Sequence, residues 1–131
     1  MDRTALKQYI QEQYGAEADY PWALYPNYEV FRHEGSGKWF ALIMDVPQNR
    51  LGLQGTEPLD VVNLKCDPTL VGSLLREPGF FPAYHMSKTT WITAALDGSV
   101  PEDKLKLLVE WSYQAIAAKA RPKKDGPKPV D

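Results

Sequence analysis

The sequence predicts a two-layer α+β domain in the order αβββαββα: a five-stranded antiparallel sheet with its helices packed on one face. Three observations predict it. Apolar residues recur at helical spacing in three separated segments. Five short runs rich in β-branched and aromatic residues lie between them, punctuated by glycine, proline and aspartate. The links between successive runs are of hairpin length, which favours antiparallel neighbours and leaves the helices to one side.

Residues 2–14 read as the first helix, because Leu6, Ile10 and Tyr14 fall four apart, with Asp2 or Thr4 to cap the start and Gly15 to close it. AEADYPWALYPN at 16–27 is loop-like, yet Tyr20, Trp22, Leu24 and Tyr25 are too apolar for a free loop and are expected to form a lid over one core edge. YEVFRH at 28–33 and KWFALIMDV at 38–46 make a hairpin around EGSG at 34–37, where glycine accepts the positive φ of a tight turn. The second of these strands is apolar on both faces and therefore central in the sheet. After a turn-rich stretch at 48–58, DVVNLKC at 60–66 alternates: Val62, Leu64 and Cys66 point one way, Val61, Asn63 and Lys65 the other. Asp67-Pro68 starts a second helix and Pro78-Gly79 closes it. FPAYHM at 81–86 and TWITAAL at 90–96 are two further strands around Ser87-Lys88-Thr89. Ser99 and Glu102 match a capping box for a last helix from about 100 to 119, with Leu107 and Trp111 off its buried face. The domain is therefore expected to span 1–120, followed by a disordered, basic, proline-rich tail at 121–131.

Composition narrows the function. The chain has 131 residues, 44% of them hydrophobic, enough for one core without metal or disulfide staples. Residues 121–131 hold four basic and two acidic residues, so 1–120 hold 11 basic and 15 acidic, a net of −4. Any anion site on the body must then come from local clustering. The single cysteine excludes an internal disulfide, the N-terminal segment lacks an apolar h-region, and the run WFALIM at 39–44 is far too short to span a bilayer. The expectation is a cytoplasmic protein with no membrane association.

Few residues could carry chemistry. Cys66, Asp67 and His85 could form a nucleophilic triad, but Cys66 lies on an apolar strand face and Asp67 caps a helix, so no catalytic residue is expected. His33, His85 and Cys66 lack the paired spacing of a zinc site, and neither a metal nor a cofactor is expected. A basic and aromatic set remains. Lys65, Tyr84, His85 and Lys88, with Arg32 and Lys38 on the first hairpin, could meet a nucleic acid, lysines on phosphate and aromatic faces on bases. The alternative is a protein-interaction or chaperone-like domain, or a homodimer, acting through the apolar strand 39–44, the loop 20–25 and Trp111.

One resemblance bears on this choice. Tyr25-Pro26 before the first hairpin, Lys65-Cys66-Asp67-Pro68, the run from Tyr84-His85-Met86 through Lys88 to Trp91, Asp97-Gly98, and Ser112-Tyr113 in the last helix stand in an order that resembles the MmcQ/YjbR-like family of small bacterial proteins. The resemblance covers about residues 3 to 120. It implies the αβββαββα fold, a double-wing arrangement and DNA binding, and it implies no established catalytic role for these positions.

Overall fold

The computed structural model describes residues 1–120, with side chains to residue 117; the segment expected as a tail, 121–131, lies outside the described residues. The elements are α1 (Arg3–Tyr14), β1 (Glu29–Arg32), β2 (Trp39–Pro47), a 3-10 turn (Gln48–Leu51), β3 (Pro58–Lys65), α2 (Pro68–Leu74), β4 (Phe80–Pro82), β5 (Trp91–Ala95) and α3 (Glu102–Ala120). The five strands pair antiparallel throughout, in the spatial order β1-β2-β3-β5-β4. The αβββαββα order and the antiparallel sheet are those the sequence predicts.

Local chemistry sets the helix ends. The Asp2 carboxylate accepts from the Ala5 N–H at 2.9 Å, and Gly15 closes α1 in the left-handed conformation, its N–H on the Gln11 carbonyl at 3.0 Å. Asp67 caps α2 through the Thr69 N–H at 2.9 Å, and Pro68 occupies the first turn. The expected capping box of α3 does not form. The Ser99 hydroxyl turns back to the Asp97 carboxylate at 2.6 Å, and the first backbone bond of the helix runs from Leu105 to Pro101 at 3.0 Å.

Packing follows from the two apolar faces of β2 and β3. Ala41, Ile43, Val62, Leu64, Ile92 and Ala94 face the helix layer, where Leu6 and Ile10 of α1, Leu74 of α2 and Leu105, Leu108, Val109 and Ile116 of α3 cover them. The helices thus share one face, as expected. Val30, Leu42, Met44, Val46 and Val61 face the other way and form a second cluster, covered by Trp22, Tyr28, Leu51 and Tyr84 from the loops. Each such side chain is worth about 1.5–3 kcal/mol when fully buried, so neither face is stable bare. The 16–27 loop is only partly the expected lid: Trp22 packs on the second cluster and Tyr25 stacks on Tyr28 at 4.8 Å, but Leu24 is 87% exposed.

Two polar devices fasten these layers. The β2–β3 ladder ends at the pair Ala41–Leu64. Beyond it the Ser112 hydroxyl of α3 donates to the Phe40 carbonyl at 2.6 Å and accepts from the Lys65 N–H at 2.9 Å, replacing the missing rung. Removing it leaves two strand groups unpaired in a buried setting. Ser112→Ala should therefore cost about 1–3 kcal/mol, read from the midpoint of urea unfolding; an unchanged midpoint would show the rung to be dispensable.

The second device is ionic. Glu29, on β1 and buried, accepts from Arg3 at 3.0 Å, Lys7 at 3.0 Å and the Tyr20 hydroxyl at 2.6 Å. Arg3 also reaches the Asp60 carboxylate at 3.2 Å and the Asn27 carbonyl, so α1, β1, β3 and the 16–27 loop meet there. Burial pushes the Glu29 carboxyl up, but the bonds from Tyr20, Lys7 and Arg3 outweigh it and hold the group below the ordinary 4.5. The unfolded chain then binds the proton more tightly than the folded one. This contribution to stability is complete above the ordinary carboxyl range and is lost as pH falls through the lower folded value. Glu29→Gln should lower stability at neutral pH and flatten its decline on acidification, measured as urea midpoints across the acid range.

Candidate functional site

The basic and aromatic residues converge at one end of the sheet, where β2 begins and β3 ends. A bulge makes this possible. Phe31 pairs with Ala41 and Arg32 with Trp39, which leaves Phe40 as an extra residue on β2. Strict alternation would place Trp39 with Ala41 and Ile43 on the helix side. The extra residue reverses that parity, and Trp39 packs on the loop-covered face, edge-on to Trp22 at 5.4 Å. The Arg32 guanidinium lies 5.8 Å from the Trp39 ring, paired with Asp19 at 3.0 Å.

β3 and β5 supply the matching half. Lys65 pairs with Trp91 in register, and its ammonium lies 5.8 Å from the Trp91 ring. Gly37, Lys38, Trp39, Lys65, Met86 and Trp91 line a shallow concavity of about 400 Å³. A cation over an indole face gains about 0.5–1 kcal/mol when exposed, so both cations have a reason to stay at this edge of an acidic body.

The loop 83–90 forms the far wall. The sequence predicts a strand to residue 86, but β4 ends at Pro82. The cause is a buried pair from neighbouring strands. Thr93 takes the Tyr84 N–H at 2.9 Å, Asn63 donates to the Tyr84 carbonyl at 2.8 Å, and the Thr93 hydroxyl bonds to the Asn63 side chain. With both backbone groups of Tyr84 taken, the chain turns, and His85 adopts a left-handed φ of 63°. Non-glycine residues hold that conformation where their surroundings over-determine it. The return is fixed by Cys66 N–H to Thr90 carbonyl at 2.8 Å and Trp91 N–H to Ser87 carbonyl at 3.1 Å.

Of the six expected contact residues, Lys38 and Lys65 line the concavity and Arg32 stands on its Trp39 wall. Lys88 is turned back to the Ala83 carbonyl at 2.7 Å. Tyr84 packs against the second cluster, and His85, exposed, has its ring 4.0 Å from that of Tyr84. Trp39 is the residue that sequence reasoning misses, since only the bulge brings it there.

A larger cleft of about 750 Å³ lies on the helix side, lined by Lys65, Cys66, Asp67, Leu70, Leu108 and Trp111 among others. Of the would-be triad, Cys66 and Asp67 line this cleft and His85 is not among its lining residues. The Cys66 thiol is oriented to the Asp67 carbonyl at 3.5 Å, and burial pushes its pKa up. The Asp67 carboxylate takes both the Thr69 N–H and hydroxyl at 2.9 Å. His33 belongs to the first turn, its Nδ1 accepting from the Gly35 N–H at 3.0 Å. Among the described residues no group of three or more His, Cys, Asp or Glu side chains is placed to hold a metal, and no helix is long and apolar enough to cross a membrane.

An α+β domain of this topology with these motifs defines a class of small proteins, and a family model described as YjbR matches residues 11–115. The chain belongs to the YjbR family. It is 39% identical over 113 residues to the uncharacterised protein YyaQ of Bacillus subtilis, covering 86% of this chain and 96% of that one. It is 30% identical over 116 residues to the uncharacterised protein YjbR of Escherichia coli, covering 87% and 86%. A crystal structure from Pseudomonas syringae, 43% identical, superposes with a TM-score of 0.86 over 88% of this chain and 98% of that one. A Deinococcus radiodurans crystal structure, 23% identical, shares the fold with a TM-score of 0.69, covering 93% and 83%.

The thiol's setting gives a direct expectation. Iodoacetamide should label Cys66 in the folded chain at least about 100-fold more slowly than in urea, because reaction needs an exposed thiolate; equal rates would return Cys66 to the list of reactive groups.

Proposed function

We propose that this protein is a non-enzymatic binding module whose sheet end contacts nucleic acid. The observation that carries the reading is the concavity in which Lys38 and Lys65 stand beside the indoles of Trp39 and Trp91, with Arg32 over the first of them. Cations meet phosphate, and Trp39, partly exposed, offers an aromatic surface to a base while buried Trp91 backs Lys65; neither contact requires a reactive group. Gly37 and Lys38 come from the first turn and Met86 from the loop 83–90, so two projections flank the concavity. That agrees with the double-wing arrangement implied by the family resemblance.

The charge balance shapes the ligand. With residues 1–120 at net −4, a long duplex would bring its phosphates near acidic parts of the surface away from this end. A short single-stranded segment fits the observations better than an extended duplex. About two or three phosphate contacts are available from Arg32, Lys38 and Lys65, so the logarithm of affinity should fall with the logarithm of salt at a slope of about −1.5 to −2 for single strands.

Fluorescence anisotropy with a labelled oligonucleotide across a salt series tests this. Lys38→Ala with Lys65→Ala should weaken binding and reduce the slope by about one or more. Lys88→Ala should have the smaller effect, since that ammonium is held by the Ala83 carbonyl. No binding at low salt, or binding indifferent to Lys38 and Lys65, would end the nucleic-acid reading.

A further inference from the structure

We propose that His33 is a pH-sensitive latch on the first turn: its neutral imidazole holds residues 34–37 closed and so sets Lys38 at the sheet-end concavity, and protonation of the ring releases them. The latch stands on the geometry of the turn alone; its effect on a ligand rests on the nucleic-acid reading above.

The hydrogen bonds fix the chemical form of the ring. His33 Nδ1 faces two backbone donors, the N–H of Gly35 at 3.0 Å and that of Ser36 at 3.4 Å. A peptide N–H only donates, so Nδ1 offers its lone pair and the ring proton sits on Nε2. In the imidazolium both nitrogens carry protons, and no rotation of the ring restores an acceptor. Protonation therefore sets a ring N–H against two peptide N–H groups. His33 is partly exposed, so solvent reaches it. Gly35 belongs to the same device. A Cβ there would meet His33 Cε1 at 3.1 Å and Nδ1 at 3.3 Å, so the close approach of backbone to ring depends on glycine.

The ring is the fixed partner and the turn is the one that yields. The imidazole rests on the Tyr113 ring of α3, centroids 4.8 Å apart, and Tyr113 in turn meets Tyr14 at 4.5 Å and Phe40 at 4.9 Å. A positive charge does not lose such an aromatic contact. The charged groups nearest in the hairpin are Arg32, Glu34 and Lys38; behind Tyr113, the Glu110 carboxylate is taken by the Tyr14 hydroxyl at 2.6 Å. The tip of the turn, by contrast, is exposed at Glu34, Gly35, Gly37 and Lys38.

Release reaches Lys38 by a short path. The Ser36 hydroxyl accepts from the Lys38 N–H at 3.2 Å, so Ser36, held by the ring, holds Lys38. Two bonds at the base do not involve the imidazole: His33 N–H to the Lys38 carbonyl at 2.7 Å and Gly37 N–H to the His33 carbonyl at 2.8 Å. The hairpin therefore stays paired and only its tip loosens. The open turn takes up the proton without giving up the two imidazole bonds, so falling pH favours opening. Gly37 and Lys38 line the concavity, and opening unfixes both. An added positive charge acting alone would tighten the hold on a polyanion, so the sign of the effect separates the two.

Nuclear magnetic resonance of the isotopically labelled full chain, titrated from about pH 8 to 5, tests the latch without a ligand. The neutral His33 ring should carry its proton on Nε2, and the amide resonances of Gly35, Ser36 and Lys38 should move along the same curve as the ring. In His33→Asn, whose side-chain oxygen accepts from the same turn without titrating, those amides should stay in place. His85→Gln should leave the curve unchanged. A neutral ring protonated on Nδ1, or amides indifferent to the titration, would overturn the proposal. Anisotropy with the labelled oligonucleotide reads the coupling. At the acid end of the titration the salt slope of the unaltered chain should be shallower than that of His33→Asn by about 0.7, the loss of one single-strand phosphate contact. Equal slopes would overturn the link from the latch to Lys38. Absence of binding by both proteins at every pH would instead sink the nucleic-acid reading, with the latch still decided by the resonances.

Discussion

The structure rests on a constraint set by β2 and β3: both strands are apolar on both faces. The helices all lie on one side, α2 among them on the β3–β4 connection that crosses past β5. The second face must then be roofed by loops, and this explains their composition. Trp22, Tyr28, Leu51 and Tyr84 are core residues carried on irregular backbone. A loop pressed onto a sheet has to satisfy its own peptide groups. Asp19 does so by a bridge to Val30, with both bonds at 2.9 Å, Gln48 by bonding the Glu57 carbonyl at 3.1 Å, and Tyr84 through Asn63 and Thr93. The buried polar pair in the middle of the sheet therefore has a structural purpose: it fastens the roof.

What was legible in the sequence was what local chemistry decides. Asp2 and Gly15 bound α1 as read, Asp67-Pro68 opens α2, and the alternation from Val61 to Cys66 sorts the two faces correctly. Non-local competition decides what was missed. FPAYHM has the composition of a strand, but Asn63 and Thr93 seize the Tyr84 backbone and end β4 early. The Phe40 bulge is equally hidden, because WFALIM contains nothing that marks which residue will be the extra one. The candidate site divides along the same line. That Lys65 meets Trp91 follows from antiparallel pairing; that Trp39 joins them depends on the bulge, and the turning of Lys88 to Ala83 depends on the loop that the polar pair creates.

Of the candidate nucleophiles and bases, Cys66 is buried with its pKa raised, Asp67 holds the first turn of α2, His33 Nδ1 closes a tight turn, and His85 is exposed with its ring against Tyr84. The cations of the sheet end differ. The Arg32 guanidinium lies against the Trp39 ring and the Lys65 ammonium against that of buried Trp91.

The stretch Lys65-Cys66-Asp67-Pro68 gains its meaning from position. The Lys65 side chain faces Trp91 and borders both the sheet-end concavity and the helix groove, and its N–H is held by Ser112, the residue next to Trp111. Cys66 fills the helix-side core and binds the Thr90 carbonyl through its backbone, fixing the far loop. Asp67 and Pro68 start α2, whose Leu70 forms the groove wall. Four consecutive residues thus tie the end of β3 to the loop 83–90, to α2 and, through Ser112, to α3. A motif of this kind, met in a sequence, looks like an active site because it concentrates a thiol, a carboxylate and an amine; in the fold its amine faces Trp91, its thiol is buried in the core and its carboxylate caps α2.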